Sequence, residues 1–344
     1  MKTLGTYIEN KRVDVTASIC NYSGYTLKMG SYFCAMPRMI ICLFLCIVCG
    51  ASSRASVELG KAPEPIGEFD FVRIPLKRAG NLILLEAKVE GQLGYFILDT
   101  GAPYLVLNAT YFGKDQVSEQ RVMTGVNGGS DTVHVIEVSS LELRSLSFNH
   151  LEADLMDLGA IENRKGIKVL GLLGLNMFLK LEMRLNLGKL LLELHRVDKT
   201  GESLSPLAEC TAEEAVLGFK LKNNVILLKG TVNGQKLTFC FDTGAEVTVL
   251  SNSLEEDVYE AVTITNSMQL MGSSGRSVYV LQGNLDAVNF GIPLRNCRVV
   301  ISDLAGMSDA FGVSIDGMIG FDLLARGSVV INFKKRSLTF CPSI

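Results

Sequence analysis

The chain has 344 residues, 48% of them hydrophobic, enough for a packed core in two domains or two lobes of one molecule. Its 33 Lys and Arg nearly balance 36 Asp and Glu, leaving a net charge of −3 and no basic stripe, which argues against a nucleic-acid partner. Glycine is abundant at 33, proline modest at 8 and tryptophan absent, and short runs of Val, Ile, Leu, Phe and Thr broken by Gly, Asn and Ser predict an all-β protein.

Residues 1–55 form an N-terminal extension. Within it Met39 to Gly50 is an apolar run, preceded by Arg38 and followed by Ala51-Ser52-Ser53-Arg54-Ala55. The run is too short to span a membrane and suits the core of a signal peptide with a small-residue cleavage region; a short buried helix or an anchor are the alternatives. Residues 1–35 make an unusually long leader for such a signal, so translation is expected to begin at Met36. The protein is expected to be exported, periplasmic or secreted, with no membrane association beyond this segment. Bulky Leu45 and Val48 disfavour lipid attachment at Cys46 or Cys49. The cysteines beyond the run are Cys210, Cys240, Cys297 and Cys341. An exported protein could pair them, in a connectivity the sequence leaves open.

Residues 56–66, with Pro63 and Pro65, read as a linker. A first lobe, 67–197, opens with the strand-like FDFVRIPLKR and NLILLEAKVEGQ, turns at Glu90-Gly91, and runs through LGYFILD to Asp99-Thr100-Gly101. A stretch rich in glycine (Gly125, Gly128, Gly129) then leads into TVHVIEVSSLEL and predicts a mobile hairpin. Residues 198–214, polar and carrying Pro206, read as the link between lobes. The second lobe, 215–344, repeats the plan: a hairpin signal at Asn233-Gly234, then Asp242-Thr243-Gly244. Its own glycine-rich tip holds Gly272 and Gly275, with Tyr279 in the strand beyond. Helix is expected only as short turns at Leu175–Phe178 and Phe321–Leu324, after Gly174 and Gly320, with a further one within Ser251–Ala261.

The two lobes are copies. Shifted by 143 residues, Asn81–Asn108 lies over Asn224–Ser251 without a gap, and 14 of the 28 positions are identical. A second match pairs Leu173-Gly174-Leu175-Asn176 with Ile319-Gly320-Phe321-Asp322 at an offset of 146, and Asn186 and Asn332 follow in equivalent strand-like runs. The period is that of a domain rather than a solenoid repeat.

An isolated Asp-Thr-Gly reads as a turn cap after a strand. Two of them, each placed alike in one of two copies, point instead to a paired-carboxylate site built from Asp99 and Asp242. Other chemistries find less support. His134, His150 and His195 are widely separated and fit no zinc spacing, so each reads as a surface or packing residue. Gly171-Leu-Leu-Gly-Leu-Asn176 lacks the Lys-Ser/Thr ending of a phosphate loop. Cys240 reads as a small core residue, and Ser273 and Ser274 sit in no nucleophile elbow. Neither metal nor cofactor is expected.

These motifs resemble those of the retropepsin-like aspartic peptidases, the superfamily that also contains pepsin. There each lobe carries a hydrophobic residue before Asp-Thr-Gly-Ala, then a hairpin flap, then two hydrophobic residues and a glycine before a short helix. Here these are Leu98–Ala102 with Leu172-Leu173-Gly174, and Phe241–Ala245 with Met318-Ile319-Gly320. The resemblance covers roughly residues 69–340 and is closest to bacterial exported proteins with two retropepsin-like units in one chain. It implies two closed β-barrel lobes flanking a cleft, with Asp99 and Asp242 as the catalytic pair. Thr100 and Thr243 would hydrogen-bond across the dyad, Gly101 and Gly244 would allow close approach, and the hairpins carrying Gly125, Gly128, Gly129, Gly272, Gly275 and Tyr279 would act as flaps. Two departures stand out: Pro103 follows the first motif where retropepsins usually have an acid, as at Glu246, and the first flap lacks the tyrosine typical of pepsin.

The implied activity is that of an aspartic endopeptidase acting on a peptide or protein substrate as an internally pseudo-dimeric monomer. The alternatives are a non-catalytic peptide-binding protein that keeps the fold, and, least favoured because one chain already supplies both carboxylates, a dyad completed between two chains.

Overall fold

The computed structural model describes residues 43–44, 47–49, 62–113, 117–125, 130–205, 214–272 and 277–342. Each copy closes into a six-stranded barrel by the same route. In the first, Leu82–Val89 pairs antiparallel with Gln92–Leu98, which runs parallel to Gly171–Leu173. That strand pairs antiparallel with Leu105–Asn108, which is parallel to Leu146–Met156. Ser130–Leu143 follows antiparallel and returns to the first strand at Lys88↔Glu142 and Val89↔Leu141. In the second, Val225–Val232, Gln235–Phe241, Gly317–Ile319, Thr248–Ser251, Pro293–Ser302 and Ser277–Asn289 take the same places, closing at Thr231↔Asn289.

The hairpin turns form as their residue types demand. Both central residues have positive φ, 47° and 81° at Glu90-Gly91 and 46° and 80° at Asn233-Gly234, the twist that suits a two-residue hairpin. The strands beside them share one burial pattern, with four buried residues followed by an exposed one in both Leu82–Val89 and Val225–Val232. Phe96 and Phe239, aligned in the repeat, are both wholly buried, each contributing about 1.5–3 kcal/mol by removal from water. Duplication thus extends from sequence to packing.

A further antiparallel sheet joins the copies. Its order is Ala215–Gly218, Ser337–Pro342, Gly327–Asn332, Leu181–Asn186, Leu191–Arg196 and Phe71–Ala79. The two central strands, one from each copy, pair from Glu182↔Asn332 to Asn186↔Ser328. Asn186 and Asn332 play matched parts: each side-chain oxygen accepts the N–H three residues on, from Lys189 and Lys335, at 2.9 Å. One apolar core runs through both barrels and this sheet, with Phe178, Met183, Phe241 and Ile331 among its members.

Both long hairpins expected as flaps are present as strands: Val117–Gly125 with Ser130–Leu143, and Val262–Gly272 with Ser277–Asn289. Part of the apolar N-terminal run meets their ends. Ile47–Cys49 pairs with Met123–Gly125, and Leu43–Phe44 with Met271 and Gly272. The rest of that run lies outside the described residues, as does 206–213 of the expected inter-lobe link; the preceding piece, 198–205, folds back through a bridge between Val197 and Ser203.

Helix is more plentiful than the sequence predicts. The turns at Leu175–Phe178 and Phe321–Leu324 form, as does Glu256–Glu260. Two further helices, Gly159–Lys165 and Ala305–Phe311, were not expected; each ends in a left-handed glycine, Gly166 at φ 64° and Gly312 at φ 59°. Among the described residues no helix is long and apolar enough to cross a membrane.

Candidate active site

Each aspartate is delivered by a barrel strand and held by a neighbouring glycine loop. Gln92–Leu98 runs into Asp99, whose N–H donates to Leu173 O at 3.1 Å; Gln235–Phe241 runs into Asp242, whose N–H donates to Ile319 O at 2.9 Å. Beyond each Asp-Thr-Gly the tie runs the other way, from Leu175 N to Ala102 O (2.8 Å) and from Phe321 N to Ala245 O (3.0 Å). The loops lie so close that a Cβ on Gly174 would come within 1.9 Å of Tyr104 O, and one on Gly320 within 1.9 Å of Asp242 O. Only glycine fits at either position.

The two Asp-Thr-Gly loops meet face to face. Thr100 N donates to Thr243 Oγ1 at 3.0 Å, and Thr243 N to Thr100 Oγ1 at 2.9 Å. Each hydroxyl then donates across to the strand that delivers the opposite aspartate, Thr100 Oγ1 to Phe241 O (3.1 Å) and Thr243 Oγ1 to Leu98 O (2.8 Å). The four bonds connect the copies at the base of the site, and both threonines are wholly buried.

Above them sit the carboxylates, both fully buried. Asp99 Oδ1 accepts N–H groups from Gly101 (2.9 Å) and Ala102 (3.0 Å). Asp242 Oδ1 accepts them from its own Gly244 (2.8 Å) and, across the interface, from Gly101 (3.1 Å). A Cβ on Gly101 would lie 2.5 Å from Asp242 Cγ, and one on Gly244 2.9 Å from Asp99 Cγ. The glycines therefore let each backbone approach the opposite carboxylate. Asp99 Oδ2 receives no N–H or hydroxyl donor and is left to the Asp242 carboxyl. Burial first, and then the adjacent Asp242 charge, push the Asp99 carboxyl well above the usual carboxylate range, against the two backbone N–H bonds that favour its ionised form. Two carboxyls in this geometry share one proton more readily than they both ionise.

The structure thus brings together Asp99, Thr100, Gly101, Asp242, Thr243 and Gly244. Of the flap candidates, Gly125 and Gly272 end their strands and Tyr279 pairs in register with Gln269, while Gly128, Gly129 and Gly275 lie outside the described residues. Cys240 packs in the core, and neither Cys240 nor Cys297 is bridged. His195 is buried against the Phe71 ring, His150 is exposed and His134 half-buried.

Supporting residues escaped sequence reasoning. Thr248 donates both N–H (2.9 Å) and Oγ1 (2.7 Å) to Asp322 Oδ2, fixing the glycine loop behind Asp242. At the aligned positions of the first copy stand Leu105 and Asn176, and Asn176 Oδ1 is buried without a partner. Glu246 carries a second such cluster: Lys165 Nζ lies 2.7 Å from both of its carboxylate oxygens, Asn81 N donates to Oε2 at 3.1 Å, and Asn81 Nδ2 to the Glu246 carbonyl at 2.9 Å.

Two β-barrel lobes that each lend one buried aspartate to a common site define the aspartic peptidase fold. The family model described as aspartyl protease matches this chain twice, over residues 85–177 and 228–323, together more than half its length, and the chain belongs to that family. Among solved structures it is similar to the aspartic proteinase from Irpex lacteus, at 12% identity and a TM-score of 0.48, over 79% of this chain and 97% of that one. No curated protein matches its sequence.

Proposed function

We propose that the chain is an aspartic endopeptidase that hydrolyses peptide bonds with a water held between Asp99 and Asp242. The observation that carries this reading is the pair itself: two buried carboxyls, with Gly101 N–H bonded to both and the Asp99 carboxyl pushed upward by its neighbour. One carboxylate takes a proton from water as its oxygen bonds the scissile carbonyl carbon. The other carboxyl gives its proton to the carbonyl oxygen. As the diol collapses, the carboxyl that took the proton from water gives it to the departing nitrogen, the other carboxylate takes back a hydroxyl proton, and the C–N bond breaks to leave an acid and an amine. Thr100 and Thr243 hold the two loops in register, and Gly101 and Gly244 make room for the carboxylates. The hairpins bearing Gly125, Gly128, Gly129, Gly272, Gly275 and Tyr279 close over an extended peptide and exclude water.

The work is done by one chain acting as an internally duplicated monomer, outside the cytoplasm after loss of its N-terminal segment. N-terminal sequencing of the protein from its native cell tests the export reading; a mature chain beginning upstream of the apolar run would defeat it. The activity is tested by incubating a peptide library with the protein from pH 3 to 8 and reading new termini by mass spectrometry. Peptide binding with no new termini at any pH would favour a non-catalytic peptide-binding protein instead.

A further inference from the structure

The two halves of the site are not equivalent, and the difference lies at one end of it. Glu246, four residues after Asp242, is 8% exposed and is gripped entirely by the first lobe. Lys165, at the end of helix Gly159–Lys165, sets its ammonium 2.7 Å from Oε1 and from Oε2. The turn at Asn81 adds a backbone N–H to the carboxylate (3.1 Å) and a side-chain amide to the Glu246 carbonyl (2.9 Å). Gly80 passes so near that a Cβ there would lie 3.2 Å from Lys165 Nζ and 3.4 Å from Glu246 Oε2. Alongside, the Arg78 guanidinium lies 4.7 Å over the ring of Phe321, the residue after Gly320. Backbone, amide and ion pair from one lobe thus converge on the loop of the other that carries its aspartate.

At the opposite end this grip does not form. Pro103 aligns with Glu246 and has no side-chain acceptor to offer, its carbonyl accepts the Asn176 N–H at 3.2 Å, and Phe311, not a lysine, ends the second lobe's matching helix. Asn224 aligns with Asn81, yet its Nδ2 is buried with no hydrogen-bond partner. Its neighbours bond only within their own lobe, Asn223 Nδ2 to Phe311 O at 3.1 Å and Lys222 to Gly312 O.

We propose that Glu246 is a positioning residue: with Lys165 and Asn81 it clamps the Asp242 loop to the first lobe at one end of the dyad, and the unclamped Pro103–Asn224 end is where the lobes part. A buried ion pair with good geometry and added hydrogen bonds is the kind that resists separation, because breaking it strands a charge away from water. An orphaned amide gives no such resistance. The threonine lattice then acts as the pivot beside the clamp. The dyad keeps its spacing while one side of the cleft widens to admit and release a chain.

The kinetic arm of the test rests on the peptidase reading; the distance arm does not. Nitroxide labels on ketone-bearing residues introduced at the aligned, exposed positions Leu93 and Lys236 report the inter-lobe distance by pulsed electron resonance. The proposal expects a broader or shifted distribution in Glu246→Ala and Lys165→Met than in the parent, a near-parental one in Lys165→Arg, and a narrower one in Pro103→Glu, which offers Asn224 an acceptor. Lys165→Met keeps both Asn81 bonds available and serves if Glu246→Ala does not fold. In peptide cleavage, Lys165→Met should lower kcat about tenfold (~1.4 kcal/mol) with KM changed less than threefold, and Lys165→Arg should restore it. Unchanged distance distributions in the folded clamp variants would overturn the proposal whether or not the protein cuts peptides. Parental protein that cuts nothing would overturn only the peptidase reading.

Discussion

Thr100 and Thr243 are locked to each other by reciprocal bonds, each backbone N–H reaching the other's hydroxyl at 3.0 and 2.9 Å. Each hydroxyl also donates onward to a carbonyl in the opposite strand. Replacing Thr100 by Val keeps the shape but removes the acceptor of the Thr243 N–H in a dry site. Such an orphaned group costs about 1–3 kcal/mol. Thr100→Val should therefore lower the urea midpoint markedly without changing the denaturant slope, while Thr100→Ser stays near the parent. An equal loss in both variants would mean that the methyl group, not the hydroxyl, matters.

Asp99 carries a stability penalty tied to function. Its carboxyl is held well above its ordinary value by burial and by Asp242. The folded protein therefore binds that proton more tightly than the unfolded chain, whose Asp titrates near ~3.9. The stability it contributes is full below that pH and is lost as pH rises through the folded value. Asn at this position has no such loss. Asp99→Asn should abolish turnover and yet melt higher than the parent at pH 7, by roughly 2–4 °C for each ~1 kcal/mol regained. The gain should shrink at pH 3.5. A variant that melts lower at pH 7 than at pH 3.5 relative to the parent would contradict this sign.

The glycines divide sharply by what surrounds them. A Cβ at Gly174 meets a backbone oxygen at 1.9 Å, whereas one at Gly91 meets nothing within 4 Å. Gly174→Ala must displace the loop that holds Asp99 and should prevent folding or cost on the order of 4 kcal/mol or more. Gly91→Ala pays only for its positive φ of 81°, about 1–2 kcal/mol. Comparing the two by thermal unfolding checks the claim that the glycine loop, and not glycine content in general, builds the site.

His195 makes the inter-lobe sheet sensitive to acid. Its ring is buried, stacked at 5.2 Å on Phe71 and bonded to Ser205 Oγ. Burial, then the Arg184 charge, hold the ring below its usual range, while Glu193 and Glu182 pull the other way. The folded state thus prefers neutral imidazole, so stability is full above the unfolded value near ~6.5 and is lost as pH falls through the folded one. His195→Gln should flatten the pH dependence of the melting temperature below about pH 6.5. An unchanged slope would place the acid sensitivity elsewhere.

Much of this was legible in the chain. Asp-Thr-Gly, the Gly174 and Gly320 loops and the turns at Gly91 and Gly234 are short-range signals, because backbone geometry at each leaves few residue choices. Their duplication turned weak motifs into a paired site. The helices Gly159–Lys165 and Ala305–Phe311 were hidden by their length: seven residues show too little periodicity to register, and the sign they left was a left-handed glycine at each C-terminus. The grip on Glu246 was out of reach for another reason. Its partners at Asn81 and Lys165 come from the other lobe, and only the mismatch of Pro103 with Glu246 marked the place. Asp322 and Thr248 lie in two separately matched segments, and nothing short-range in the chain ties one to the other.

The central claim is that Asp99 and Asp242 act as one unit on a single water. The most direct test is peptide-library cleavage by the parent protein and by folded Asp99→Asn and Asp242→Asn variants, read by mass spectrometry across acid to neutral pH. The account predicts new termini from the parent, strongest on the acid side, and none from either variant. Full cleavage by either single variant would contradict it.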